Sequence, residues 1–512
     1  MHRLAASVLL LASLAMARAG RPCARCHPSE TAAFEQSPMG RSVGPPSVFA
    51  EGSVVHKLSG STLTVERRGS LLEHRLERRG LAAEYPVAYS VGVGIVGYTY
   101  IVRLGQYLFE SPVSYYTQTK SWDVTPGYEK EPNLDFTHQI SSRCLFCHTG
   151  SVNLIGGTAN QFGDPPFTSI SCERCHGSPV AHLKNPVPGS IVNPAKLAPN
   201  RRDSVCEQCH LEGEVRILNP GRDWWDFQAG QTTESVFVTY LRTAAPGTLW
   251  ADSQNELLAQ SRCARQSGGR LWCGTCHHPH ASEQNRAQSL RQVCLSCHSD
   301  LFAVGRHRAA AECISCHMPR LLLTSVAHSA MTDHSIPRIP RAQRPEAGAA
   351  DREPKAWREP DRALVLRDLG LAYFDLAANK HAAPDLQQAY RILSQLPPQE
   401  RQDPAVEADL GSVLLAQGDT DFAIRMFTRA SAQQPSNARY IYCLGASLER
   451  AGKMEEAVKE LKRSIELDPS LPDAYLELAQ LYRKAGREAE SRNALREYLR
   501  FMPQNIQLRL PD

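Results

Sequence analysis

Seven stretches of this sequence carry the same thiols and imidazole, Cys-x-x-Cys-His. They are Cys23–His27, Cys144–His148, Cys172–His176, Cys206–His210, Cys273–His277, Cys294–His298 and Cys313–His317. The second thiols are Cys26, Cys147, Cys175, Cys209, Cys276, Cys297 and Cys316. Two thiols three positions apart, followed at once by histidine, suit covalent attachment of a c-type haem. The thiols bond to the porphyrin edge and the adjacent imidazole ligates the iron. Cys-x-x-Cys also serves zinc sites and redox dithiols, but neither needs a histidine directly after the second cysteine. Sixteen cysteines and eighteen histidines in 512 residues would yield about 0.02 such pentads by chance. Fourteen of the sixteen cysteines are used this way, and only Cys263 and Cys443 stand outside. The sequence therefore implies seven covalent haems c with iron held by His27, His148, His176, His210, His277, His298 and His317. A disulfide-rich or zinc-rich secreted chain is the alternative.

A low-spin haem needs a second axial ligand, usually His or Met. The histidines free for that role are His56, His74, His138, His182, His278, His280, His307, His328 and His334. His280 follows proximal His277 by three residues, a reach of at most about 10 Å. That is too short to round a porphyrin, so His280 serves a neighbouring haem or none. His182, six residues after His176, reads the same way.

The first nineteen residues, MHRLAASVLLLASLAMARA, have a basic start, an apolar run and an Ala-x-Ala end. That is the pattern of a secretory signal. The alternative, a retained membrane anchor, meets an apolar run too short to span a bilayer. The expectation is an exported, periplasmic protein starting near Gly20, with no transmembrane segment in its mature chain. The net charge of +4 is small, and no basic stripe with interleaved aromatics points to nucleic acid.

The elements that must position the motifs divide the chain. All pentads lie between residues 23 and 317, so 20–335 reads as one haem domain. Between the first two motifs, STLTVERRGSLLEHRLERRG alternates around Arg-Gly like a hairpin, and a β-branched, aromatic run follows. This predicts a small antiparallel β-subdomain over about 50–130, covering the first haem. Residues 336–360, rich in Pro, Arg, Ala and Glu, read as a linker. In 361–512, Gly418, Gly452 and Gly486 recur every 34 residues, as do Pro435, Pro469 and Pro503. Leu410-Gly411, Ala423, Phe427 and Ala430 fall at tetratricopeptide positions. About four such units would form an α-solenoid, whose usual concave surface takes a protein partner. The fold class expected is mainly α: a loop-rich multihaem domain with a small antiparallel β-subdomain, then a tetratricopeptide solenoid. Cys443 falls on an apolar helix face and reads as core.

CERCHGSPVAH, CGTCHHPH, CISCHMPR and AHSAMTDHSIPR resemble the multihaem cytochromes c related to cytochrome c554, hydroxylamine oxidoreductase and pentahaem nitrite reductase. The whole chain resembles bacterial multihaem cytochromes that end in tetratricopeptide repeats. The resemblance implies His182, His280, His328 and His334 as distal ligands. His307 and His138 join them by position. The first motif, CARCHPSETAAFEQSPMG, is similar to the start of a cytochrome c554-type domain, where a distal histidine often stands about where Met39 stands here. With Met39, seven distal candidates meet seven haems.

Two functions follow. One is an electron carrier, passing electrons between periplasmic redox partner proteins, with the repeats docking a protein partner. The other is a haem oxidoreductase acting on a small nitrogen or sulfur substrate at one open iron. All seven motifs end in His, whereas the nitrite reductases of the group commonly use Cys-x-x-Cys-Lys at the catalytic haem. With the balanced ligand count, this favours the carrier.

Overall fold

The computed structural model describes residues 21–47, 49, 51–136, 138–156, 158–242, 254–280, 286–299, 312–322, 330–339, 353–380 and 382–502. The signal segment, His307, His328 and residues 340–352 lie outside the described residues.

The N-terminal part is built on nine antiparallel strands: β1 (Val43–Gly44), β2 (Gly52–His56), β3 (Ser61–Arg68), β4 (Leu71–Arg78), β5 (Leu81–Val91), β6 (Gly97–Leu104), β7 (Tyr107–Glu110), β8 (Val113–Tyr116) and β9 (Ser121–Val124). Their order is β2-β3-β4-β5-β6-β8-β9, with β1 on β5 and β7 on β6. Alternation drives it. Along β3, Leu63 and Val65 point inward; along β4, Leu72, His74 and Leu76 do. Arg68 pairs with Leu71 across the expected hairpin. The next turn, Arg79-Gly80, has positive φ at both residues, as a type I′ turn requires. The sheet also rolls. Gly52 on β2 lies against the Trp122 ring of β9, where a Cβ would stand 2.3 Å from Cδ1. The β-subdomain is thus larger than the small insert expected, and the mainly α expectation is corrected there, because every alternating segment between 52 and 124 finds a partner.

The sheet covers the second motif. Leu145, inside Cys144–His148, packs with Tyr89, Ile101, Leu108 and Phe162. Its neighbour Phe146 packs with Phe227, Val236 and Phe237. Both variable positions of that motif are buried anchors.

Residues 365–501 form four helix pairs: Val365–Lys380 with Ala383–Ser394, Pro404–Ala416 with Thr420–Gln433, Ala438–Arg450 with Met454–Leu467, and Pro472–Lys484 with Glu488–Phe501. The repeat glycines act as read. A Cβ on Gly411 would meet the Phe427 ring at 3.0 Å, and one on Gly445 would meet Leu461 Cγ at 2.8 Å. Gly418, Gly452 and Gly486 end helices at positive φ.

The solenoid is pinned to the haem domain at both ends. Leu371, Leu376, Leu393 and Leu410 pack on Val215, Ile217, Val238 and Tyr240, from strands β12 (Val215–Leu218) and β13 (Phe237–Leu241). At the far end Tyr475 and Met502 pack on the sheet core. There Gln139 Nε2 donates to Ser470 O, and Tyr85 donates to Arg500 O at 3.3 Å. The end of the segment read as linker is also bound. Lys355–Ala356 pairs with β13, Trp357 Nε1 donates to Glu207 at 3.1 Å, and Arg358 Nη2 donates to it at 2.7 Å.

Two predictions follow from this core. Gly445→Ala gains about 1 kcal/mol of helix propensity but loses about 1–3 kcal/mol by overpacking Leu461; its urea midpoint is expected to fall. His74 is fully buried, and burial pushes it down to about 3 from 6.5. A lowered histidine contributes stability fully present above about 6.5 and lost as pH falls toward 3. His74→Leu is therefore expected to lose less stability than the parent between about pH 6 and about pH 4 in urea titrations.

Candidate functional site

Each of the seven pentads is one turn of helix. His27, His176, His277 and His298 donate their backbone N–H to Cys23, Cys172, Cys273 and Cys294 at 2.8–3.0 Å. The other three lie in helices Ser142–His148, Pro199–His210 and Cys313–His317. One turn puts the first and fourth residues on one face and the fifth beside them. Both thiols could then bond one porphyrin edge, and the imidazole could ligate the iron. All sixteen cysteines are free thiols, so they are available for thioether bonds. Among the described residues, no three His, Cys, Asp or Glu side chains converge on a common metal.

Three proximal imidazoles face a second imidazole. His27 faces His182 at 6.4 Å between ring centroids and 22° between planes. His176 faces His280 at 5.7 Å and 16°, and His277 faces His334 at 6.2 Å and 25°. These rings are not in contact. His138, stacked directly on Tyr128, sits at 3.8 Å. Two imidazoles bound through Nε2 to one iron, at about 2 Å each, place their centroids about 6 Å apart. The residues fit a haem iron between them.

The outward nitrogens are held as ligation requires. His176 Nδ1 lies 2.8 Å from Val192 O, His317 Nδ1 2.8 Å from Pro337 O, and His334 Nδ1 2.9 Å from Thr332 O. A carbonyl only accepts, so each Nδ1 carries the hydrogen and Nε2 keeps its lone pair for a metal. His182 Nδ1 lies 2.8 Å from Ser190 Oγ, whose own hydrogen goes to Val187 O at 2.6 Å. His182 must therefore also donate from Nδ1. Desolvation by the surrounding chain lowers the imidazoles of His148, His210, His280 and His334, although the first three keep part of their surface exposed.

Motifs that are distant in sequence interlock. Arg174, inside the third, donates to Phe146 O of the second at 2.8 Å. Gln208, inside the fourth, donates to Arg174 O at 3.0 Å and accepts from Cys147 Sγ at 3.6 Å. Arg174 also lies 4.3 Å over the Phe146 ring. Thiols meet as well. Burial and neighbouring Cys23 push the Cys172 thiol up to about 12, while contact with Cys273 and burial push Cys206 higher. Burial and neighbouring Cys313 push Cys294 up to about 11.

The sequence reading named His182, His280 and His334, and the structure brings each opposite a proximal histidine. His138 stands elsewhere, with Nδ1 3.5 Å from Glu110 and its ring on Tyr128. Met39 follows helix Pro28–Gln36, half-buried. His56 and His74 are structural: His56 bonds Ser59 and Glu129 O, and His74 bonds Ser111. The junction residues Arg174, Gln208 and Arg216 were missed. The one signal available was their polar character inside or beside a motif whose variable positions were ignored.

Comparison with known proteins finds matches in both the haem-motif and the repeat parts of the chain. Residues 113–177 match the family described as cytochrome c554 and c-prime, and residues 265–303 match the doubled CXXCH motif. Tetratricopeptide repeat families match 408–439, 450–486 and 472–505. These matches support a c-type cytochrome with C-terminal tetratricopeptide repeats and indicate covalently bound haem c. The TPR repeat-containing thioredoxin TTL4 of Arabidopsis thaliana is 34% identical over 85 residues, covering 17% of this chain and 12% of its own length. The Hsp70-Hsp90 organizing protein of Triticum aestivum is 29% identical over 115 residues, covering 21% and 20%. The chain thus spans a fifth or less of these curated relatives. Among solved structures, one of MamA is 21% identical, covers 26% of this chain and 77% of that one, and has a TM-score of 0.24. MamA 41-end from Desulfovibrio magneticus RS-1 is 14% identical, covers 28% and 85%, and has a TM-score of 0.25.

Proposed function

We propose that this protein is an exported, periplasmic heptahaem electron carrier, passing electrons between redox partner proteins, one of which docks on the tetratricopeptide region. The observation that carries the reading is the set of three facing imidazole pairs. Each pair could supply two nitrogen ligands to one haem iron, an arrangement that suits electron transfer rather than substrate binding.

The pairs also order the haems. His182 follows the third motif but faces the first; His280 follows the fifth but faces the third; His334 follows the seventh but faces the fifth. Each of these motifs thereby lends a ligand to its neighbour, which holds the haems close enough to exchange electrons. The second and fourth attach to the third through Arg174 and Gln208. In this reading His182, rather than Met39, would be the second ligand at the first iron. The sequence candidates left for the irons of the second, fourth, sixth and seventh motifs are His138, His307, His328 and Met39, and His138 would have to leave its stack on Tyr128 to serve. When bound, the haem would supply a one-electron Fe(III)/Fe(II) couple; the chain would hold it by thioethers and orient it with Nδ1-anchored imidazoles.

The test is low-temperature EPR of the oxidised holoprotein, with haem content from pyridine haemochrome. Seven haems per chain, all low-spin, are expected. His280→Ala is expected to convert one haem to high-spin with the total unchanged. A stoichiometric high-spin signal in the native protein that shifts with nitrite or hydroxylamine would overturn the carrier in favour of an enzyme.

A further inference from the structure

A buried cation sits between two haem attachment motifs. Arg216, on β12, has a side chain 2% exposed. Its Nη1 donates to Gln208 O at 3.0 Å and lies 3.9 Å from Cys147 Sγ. Nη2 donates to Glu207 O at 3.2 Å and to Leu211 O, and Nε donates to Leu211 O at 3.1 Å. Glu207 and Gln208 end the helix Pro199–His210 that carries the fourth motif, so Arg216 caps a helix C-terminus and answers its dipole. Its face lies over the Phe237 ring at 5.0 Å.

Burying a cation is costly unless something compensates for it. The carboxylate against Arg216 is Glu212, at 3.3 Å. Glu212 also binds Arg143 at 2.8 Å, next to Cys144. Arg174 adds a further cation above Phe146. Three guanidinium groups thus surround the second and fourth motifs, and two of them share one carboxylate. A helix cap of this kind needs donors, and a neutral side chain can supply them. A fully buried guanidinium beside a haem thiol goes further than capping needs.

We propose that Arg216 is a positioning and potential-setting residue for the haems at Cys144–His148 and Cys206–His210. The inference rests on the haem reading above. A haem with neutral axial ligands would gain one positive charge when Fe(II) gives up its electron. A fixed cation in a poorly screened interior disfavours that charge and raises the reduction potential. Glu212 acts in the opposite sense. The same side chain ties the Cys147 edge to the helix bearing His210, so it also fixes how the two haems lie against each other.

The test is a spectroelectrochemical titration of the full-length holoprotein, alongside haem content, for Arg216→Met, Arg216→Lys and Glu212→Gln. Arg216→Met is expected to lower the midpoints of two haems and leave the others in place. Arg216→Lys, which keeps the charge, should stay near the parent, and Glu212→Gln should shift the same two haems upward. A fully haem-loaded Arg216→Met whose titration overlays the parent overturns the proposal, as does a downward shift in Glu212→Gln. If Arg216→Met does not load its haems, Glu212→Gln decides: an upward shift supports the proposal and an unchanged curve overturns it. A parent protein without haem would instead remove the haem reading itself.

Discussion

A histidine held directly after its thiols reaches one face of a porphyrin, and the chain beside it is too short to reach the other. Everything in the haem domain answers that limit. The second imidazole has to come from another segment, so ligand pairing cannot be local. His280 stands three residues past His277 and faces His176 instead. His27 and His182 are brought together across the 155 positions that separate them. In the proposed reading, ligands exchanged in this way would leave the first, third and fifth haem sites incomplete without their neighbours. Most of the motif helices are only four to seven residues long.

Such short helices cannot supply a core by themselves. The rolled sheet does so from one side, taking Leu145 into its apolar face. The solenoid braces the other side and touches the haem domain at both of its ends. The Arg358 contact with Glu207 ties the approach to the solenoid to the helix of the fourth motif. The repeats are therefore built into the haem domain rather than tethered beside it. A partner held by them would be held at a set distance from the haems.

Much of this was legible in the residues. Haem attachment needs only five consecutive positions, and seven pentads are far beyond chance. The solenoid repeats every 34 residues with small and large positions that pair within one unit, as Gly411 and Phe427 do. The β3–β4 hairpin follows from alternation and a Gly turn. Each of these signals lies within a few dozen residues, so the sequence determined it alone.

Tertiary structure decided the rest, because the deciding contacts join residues far apart. Alternation foretold strands but not a nine-stranded roll, whose closure sets Gly52 against Trp122. The family resemblance offered Met39 to the first haem, while the fold brings His182 opposite His27. The residues named as ligands were largely visible as types; which imidazole faces which was not. Arg216 shows the same division. In the sequence it is one of many arginines, and only the packing of β12 under the fourth motif makes it a buried cation beside Cys147. The sequence by itself determined which groups bind haem, because that chemistry is local. The fold alone determined which imidazoles stand opposite one another and where the buried charges lie, because that depends on distances through space.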